Sequence, residues 1–255
     1  MIDKIQTYGL AAKGLIYGII GALTAMVAFD MGGKKAGKSD VVDFLQTQPF
    51  GNLILYLLSA GIIAYALWRL YTAFADPKSK GSDTTGITKR IGYFFSGLAY
   101  MLFGISIFST TMGSGGGSGN REYYVAQLMD KLYGPLLITL IGIILIGVGI
   151  YQVYKGYSGK YLEDLNPGYG RHQSKIKTAG KYGFMARGVV FAILGYFLMS
   201  AGITENASMV RGTQGAFSFL QQQEWGTYLM GAVALGLLGY GIFMLYVSKD
   251  SRVHS

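Results

Sequence analysis

Six long stretches of the chain contain no charged residue, and polar segments separate them. Four of these stretches are 23 to 30 residues long, which exceeds the roughly 18–20 apolar residues that an α-helix needs to span a bilayer. The other two have 16 and 17 residues, and each becomes long enough if its helix begins upstream, near Tyr8 and Tyr182. The pattern predicts six transmembrane helices at about residues 8–29, 50–74, 91–112, 133–154, 182–203 and 226–247.

Glycines recur in a fixed pattern at the start of the first, third and fifth predicted spans. The three copies read YGLAAKGLIYGIIG, IGYFFSGLAYMLFG and YGFMARGVVFAILG. Glycines four or seven residues apart lie on one face of a helix, where they let a second backbone approach closely. We therefore expect nine glycines to pack helices together: Gly9, Gly14, Gly21, Gly92, Gly97, Gly104, Gly183, Gly188 and Gly195.

Similar short segments precede the second, fourth and sixth spans: DVVDFLQTQPFG, REYYVAQLMDKLYG and GAFSFLQQQEWG. Their apolar residues recur at helical spacing, which favours short helices at the membrane surface. The repeat thus covers two spans, with copies at residues 5–75, 88–156 and 178–248 of a single membrane domain, 1–255. An even number of spans gives every copy the same direction in the membrane. The predicted fold is an all-α polytopic membrane protein with six transmembrane helices in three parallel two-helix repeats (pseudo-threefold) and short interfacial helices on the outer side.

The recurring motif resembles the bacterial membrane family catalogued as domain of unknown function 1206, whose members carry three tandem two-helix units. The resemblance covers about the whole chain and implies the three-repeat fold, but it brings no activity. The second copy departs from the motif, because Ser96 replaces the basic residue. The residues that carry the resemblance are Gly9, Lys13, Gly14, Tyr17, Gly92, Gly97, Tyr100, Gly183, Arg187, Gly188 and Phe191.

The charges are distributed unevenly between the two sides of the membrane. Sixteen Lys and Arg residues fall on the side of the two termini and six on the other. Because basic loops stay in the cytoplasm, both termini are expected there, in a protein integral to the plasma (bacterial inner) membrane. The net charge of +9 follows from this asymmetry and requires no nucleic-acid partner.

The spans offer no groups for acid–base or metal chemistry. None contains Asp or Glu, the chain has no cysteine, and both histidines, His172 and His254, lie outside the spans. We therefore expect no enzymatic activity, no catalytic residue, no cofactor and no metal site.

Basic residues recur at one position of the motif, inside the membrane. Lys13 and Arg187 occupy it in the first and third copies, and Ser96 occupies it in the second. Tyr17 follows four residues after Lys13, and Tyr100 follows four residues after Ser96. One interpretation is that the cations extend to the headgroup region. The other is that these five residues bind an anion such as a lipid phosphate.

Three tyrosines lie deeper in the predicted spans. Tyr65, Tyr151 and Tyr240 each stand four residues after a glycine. They are candidates for lining an interior cavity, and helix packing is the alternative role.

These features lead to two hypotheses about function. The first is a non-enzymatic membrane protein that binds a lipid or another amphiphile, or that serves as a scaffold for a membrane partner. Its expected partners are membrane lipids, including anionic headgroups, and an unidentified membrane protein. The alternative is a small-solute or ion channel along the pseudo-threefold axis.

Cysteine labelling tests the orientation, and the cysteine-free chain is a clean background for it. Since basic loops face the cytoplasm, an impermeant maleimide added outside should label Gly116→Cys and leave Ser174→Cys unmodified. Labelling of Ser174→Cys alone would show that the orientation is the opposite.

Overall fold

The computed structural model describes residues 2–33, 35–75, 84–113, 125–162 and 173–250. Within these ranges the chain forms helices, turns and loops and no strand. The α-helices are α1 (Ile2–Ala28), α2 (Lys38–Gln46), α3 (Gly51–Ala75), α4 (Thr84–Thr111), α5 (Gly134–Tyr157), α6 (Gln173–Ile203), α7 (Thr213–Gln221) and α8 (Gly226–Asp250). Residues 125–129 form a further short helical stretch. Gly116, His172 and His254 lie outside the described residues.

Six helices are long and apolar enough to cross a membrane: α1, α3, α4, α5, α6 and α8. They confirm the predicted all-α fold with six spans in three two-helix repeats. The start of α6 differs from the prediction, since this helix begins nine residues before Tyr182. Within this added polar segment, Gly180 is buried against the rings of Tyr161 and Phe243. A search for uncharged residues detects only the apolar part of such a helix.

The chain divides into two compact units, which are described separately. Unit one comprises residues 1–13, 42–116 and 244–255, and it contains α3 and α4. Unit two comprises residues 14–41 and 117–243, and it contains α5, α6 and α7. Residues of α1 through Lys13 belong to unit one, and those from Gly14 onward belong to unit two.

The same tight turn leads into the second helix of each repeat. The amides of Gly51, Gly134 and Gly226 donate to the carbonyl three residues earlier, at 2.8–2.9 Å. Phe50 and Trp225, directly before two of these glycines, have positive φ angles of 60° and 59°. Tyr133, directly before Gly134, differs with a φ of −114°, so the shared hydrogen bond sets the correspondence between repeats.

The short helices before two of these turns are amphipathic, as expected at a membrane surface. In α2 the apolar residues Val41, Val42 and Leu45 are buried, and in α7 Phe217 and Leu220 are buried.

A close glycine contact recurs in three helix pairs. In each pair a glycine of one helix lies against a residue of the second helix of a repeat. That residue stands twelve positions after the glycine with which this second helix begins, which is Gly51, Gly134 or Gly226. A Cβ placed on Gly195 would lie 2.7 Å from the amide nitrogen of Ile146, so no side chain fits there. The pairs are Gly104 with Ile63 (α4 and α3, unit one), Gly195 with Ile146 (α6 and α5, unit two) and Gly21 with Leu238 (α1 and α8, unit two).

A second close contact lies seven residues earlier on each first helix. A Cβ on Gly188 of α6 would lie 2.6 Å from the carbonyl oxygen of Gly149, and one on Gly97 of α4 would lie 2.9 Å from the side chain of Leu70. The carbonyl oxygen of Gly14 is equally close to the Cβ position of Gly241. These backbones approach because the glycines carry no side chain, which is the usual way that membrane helices pack.

A third glycine position makes room for a tyrosine in two of the repeats. Gly9 of α1 lies against the side chain of Tyr65 in unit one, and Gly183 of α6 lies against Tyr240 in unit two. Gly92, the corresponding residue of α4, has no described atom within 4 Å of its Cβ position.

Two glycines of α1 allow a matched test of this packing. Gly21→Ala should destabilise the protein by overpacking against α8, on the order of 1–3 kcal/mol, because its Cβ would lie 2.6 Å from the carbonyl oxygen of Ala234. Gly18→Ala should be neutral or stabilising, since no described atom lies within 4 Å of that Cβ position and alanine favours the helix. Thermal unfolding in detergent measures both, and equal unfolding midpoints for the two variants would contradict the close contact.

Candidate functional site

Arg187 forms the centre of a cluster of aromatic rings in unit two. Its Nη1 donates a hydrogen bond of 2.7 Å to the hydroxyl of Tyr240. The guanidinium also lies over three rings, with its Cζ 5.4 Å from the centroid of Tyr17, 4.7 Å from that of Phe191 and 5.1 Å from that of Tyr240. We call Tyr17, Arg187, Phe191 and Tyr240 the second cation–tyrosine cluster. Such contacts stabilise a cation that has been removed from water.

A similar arrangement occurs in unit one. Nε of Arg69 donates a hydrogen bond of 3.0 Å to the hydroxyl of Tyr65. The Arg69 guanidinium lies 5.3 Å from the ring centroid of Tyr65 and 5.2 Å from that of Tyr93, and Nζ of Lys13 lies 5.8 Å from that of Tyr100. We call Lys13, Tyr65, Arg69, Tyr93 and Tyr100 the first cation–tyrosine cluster.

A pair of perpendicular tyrosine rings is common to both clusters. Tyr65 and Tyr100 pack edge to face with centroids 5.1 Å apart and an interplanar angle of 79°. Tyr17 and Tyr240 do the same at 5.1 Å and 80°. Each pair joins the second helix of one repeat to the first helix of another, at corresponding positions. The two clusters are therefore copies of one site, built by the repeat.

Sequence reasoning selected most of these residues but grouped them differently. Lys13 and Tyr17 were expected to act together, because they share one face of α1. Instead the ammonium group of Lys13 lies over the ring of Tyr100, and the guanidinium of Arg187 lies over the ring of Tyr17. Tyr65 and Tyr240, which the sequence set apart as cavity candidates, are the buried hydroxyl partners of the two clusters.

Tyr151 does not share the place of the other two deep tyrosines, because its side chain is 57% exposed. The reason is the register of α5. Tyr65 and Tyr240 stand fourteen residues after Gly51 and Gly226, and the residue fourteen after Gly134 is Val148. Tyr151 also stands four residues after a glycine, Gly147, but it comes three residues after the corresponding position, Val148.

By sequence correspondence, the set of positions that would form a third copy lacks the cluster residues at all three positions. Ser96 stands where Lys13 and Arg187 stand, Val148 replaces the hydroxyl partner, and Phe191 replaces Tyr17 and Tyr100. The Ser96 hydroxyl donates to the carbonyl oxygen of Tyr93 within its own helix, at 3.0 Å.

Arg69 is a cluster residue that lies outside the recurring glycine motif. It bonds to Tyr65 one helical turn away. The signal was present, since an arginine four residues after a tyrosine on a helix faces it.

The three cations lie in the first halves of α1 and α6 (Lys13 and Arg187) and in the last third of α3 (Arg69). Tyr65 and Tyr240 are each ten residues from the last residue of α3 and α8, which is about 15 Å along the axis. Lys13 is six residues from the start of the apolar part of α1, and Arg69 is six residues from the end of α3, about 9 Å. The cations of the first cluster therefore lie between its central tyrosine and the membrane surface.

Aromatic packing ties the segment after α5 to the second cluster. The ring of Tyr161 stacks on Phe184 at 5.4 Å, and Phe184 packs edge to face on Tyr240 at 5.2 Å. The Tyr161 hydroxyl donates to the carbonyl oxygen of Lys177. Burial raises the pKa of Tyr161, which keeps the hydroxyl protonated as a donor.

The clusters combine cations with tyrosine hydroxyls, which can donate hydrogen bonds to an anion. Among the described residues, no group of three or more His, Asp or Glu side chains is placed to hold a metal ion. Tyrosine hydroxyls and ring faces stabilise the cations and carry no charge themselves.

Comparisons with known proteins identify the repeat but not an activity. A family model described as Domain of Unknown Function (DUF1206) matches residues 8–76, 91–159 and 182–249. The chain is also similar to a Bacillus subtilis (strain 168) protein named "Uncharacterized protein YxxB", with 28% identity over 96% of this chain and 89% of the other. No solved structure matches.

Removing single hydroxyls tests the geometry of the clusters. Tyr240→Phe and Tyr65→Phe should each lower the free energy of unfolding by about 1–3 kcal/mol, because each removes the oxygen that accepts a hydrogen bond from an arginine. Tyr151→Phe is the matched control, since its side chain is exposed. Unfolding midpoints in detergent measure all three. A Tyr240→Phe midpoint equal to that of Tyr151→Phe would show that the bond contributes nothing.

Proposed function

This chain belongs to the family of the Domain of Unknown Function (DUF1206), and we propose that it is a non-enzymatic integral membrane protein that binds lipids with anionic phosphate headgroups. The proposed binding sites are the two cation–tyrosine clusters. The proposed location is the plasma (bacterial inner) membrane, with both termini in the cytoplasm.

The observation that carries the proposal is the recurrence of the cluster as a unit. Each cluster combines the motif cation and the deep tyrosine of one repeat with the perpendicular tyrosine of another, as Lys13, Tyr65 and Tyr100 or as Arg187, Tyr240 and Tyr17. The remaining set of corresponding positions lacks all three and has Ser96, Val148 and Phe191 in their places. Residues needed only for helix packing need not change together, because the close glycine contact is present without them. A shared role, such as holding one ligand, explains why they occur as a set.

The charge of the clusters supports an anion as the ligand. A cation inside the membrane is costly and tends to mark a functional site. No span contains Asp or Glu, and the ring contacts are neutral. A phosphate supplies both negative charge and acceptor oxygens, and Arg187 can bind it in the bidentate geometry that guanidinium groups favour.

The position of the clusters supports the inner leaflet as the source of the lipid. Lys13, Arg69 and Arg187 lie in the halves of α1, α3 and α6 whose ends are on the side of the termini, and the excess of basic residues favours the cytoplasm for that side. Lys13 and Arg69 lie about 9 Å from these ends, which is within reach of a headgroup that enters between the helices.

Lipid retention tests the proposal. The purified protein, equilibrated with equal amounts of phosphatidylglycerol and phosphatidylcholine, should retain phosphatidylglycerol preferentially in native mass spectrometry. The double variant Lys13→Gln, Arg187→Gln should lose this preference by about tenfold, since each charged hydrogen bond contributes about 1.5–3 kcal/mol.

The matched control is Lys175→Gln, Lys177→Gln, which removes two exposed cations of α6 and should leave the preference unchanged. Equal retention by the cluster variant and the control would contradict lipid binding at the clusters. In that case, solute flux into proteoliposomes would favour the channel alternative.

A further inference from the structure

The two clusters differ in their number of cations. The first holds Lys13 and Arg69 around one set of rings. In the second cluster, among the described residues, one cation, Arg187, lies over the rings of Tyr17, Phe191 and Tyr240. Lys155 lies one ring farther out, over Phe184 at 5.6 Å.

The difference arises at one position of the repeat. Arg69 stands eighteen residues after Gly51, and the corresponding residues are Gln152 and Met244. Met244 is buried and apolar, so this position adds a second positive charge in the first cluster only.

The two arginines also hold their tyrosines through different nitrogens. Arg69 donates from Nε, whereas Arg187 donates from Nη1. The fork of Nη1 and Nη2 is the part of a guanidinium that binds two oxygens of one phosphate. In the first cluster the tyrosine therefore orients the arginine without occupying that fork, while in the second cluster the tyrosine bond uses one of its two nitrogens.

The two cations of the first cluster converge on one tyrosine pair. Lys13 lies over Tyr100, the ring of Tyr100 packs on Tyr65, and Tyr65 accepts the bond from Arg69. A ligand at this pair meets a bidentate donor on one side and a point charge on the other.

We infer that the first cluster selects a phosphate monoester over a phosphodiester, while the second does not distinguish them. A monoester carries a charge of about −1.5 to −2 at pH 7 and three terminal oxygens, which match a guanidinium fork plus an ammonium group. A diester has one charge and two free oxygens, which one arginine satisfies. This inference rests on the proposed function and adds the class of headgroup. The monoester can belong to a lipid or to a soluble molecule.

The experiment compares lipid selectivity in wild type and in Arg69→Met, which carries the residue of the third repeat. Native mass spectrometry with equal amounts of phosphatidic acid, a monoester, and phosphatidylglycerol, a diester, gives the retention ratio. The wild type should prefer phosphatidic acid by about tenfold, as expected for one additional charged hydrogen-bonding group. Arg69→Met should bring the ratio close to one while phosphatidylglycerol stays bound.

Two further variants control for charge and folding. Lys177→Met removes an exposed cation and should keep the wild-type ratio. Arg69→Lys preserves the charge without the fork, so it should fold even where Arg69→Met does not, and its ratio should fall between the other two. A parallel titration with glycerol 3-phosphate identifies the source: displacement of phosphatidic acid indicates a soluble monoester, and no displacement indicates a lipid.

The outcomes separate this inference from the proposed function. If wild type retains phosphatidylglycerol through Lys13 and Arg187 but the ratio is the same in wild type, Arg69→Lys and Arg69→Met, the inference is wrong and the proposed function stands. If wild type retains neither anionic lipid above phosphatidylcholine, both are wrong.

Discussion

Close helix packing at glycine is the interaction on which both units depend. Within a bilayer the lipid chains are as apolar as leucine, so helices gain little from hiding apolar side chains and associate through close packing instead. The contacts of Gly104, Gly195 and Gly21 repeat this solution in three helix pairs at one register. A side chain at any of them would separate the helices and move every residue that faces the contact.

The cation–tyrosine clusters depend on the same principle. Gly9 and Gly183 lie against Tyr65 and Tyr240, so a missing side chain on one helix leaves the space that the tyrosine of its neighbour fills. The tyrosine then presents its hydroxyl to an arginine. Packing and chemistry are linked at this point, because the glycine that brings the helices together also sets the depth of the polar group.

Much of the fold could be predicted from the sequence because membrane helices leave strong signals. Uncharged length located all six spans, and the glycine pattern located the helix faces in contact. The polar start of α6 was missed, since it depends on Tyr161 and Phe243 packing against Gly180, and tertiary contacts of this kind have no local signature.

The candidate site was only partly visible in the sequence. Lys13, Arg187, Tyr17 and Tyr100 could be found because they recur in one motif. Lys13 and Tyr100 lie on different repeats, as do Arg187 and Tyr17, and the choice of partner follows from which helices pack together. Tyr151 was misplaced because a nearby glycine suggested a register that the turn at Gly134 does not allow.

Fusion of the three repeats into one chain has a consequence for how such a site can change. A homotrimer of identical two-helix chains would carry every substitution three times, so a residue such as Ser96 or Arg69 would alter all its sites at once. Here each copy diverges independently while the glycine contacts keep the helices together. Covalent linkage thus permits asymmetry, in which one repeat can lack a charge at a position where another repeat has one.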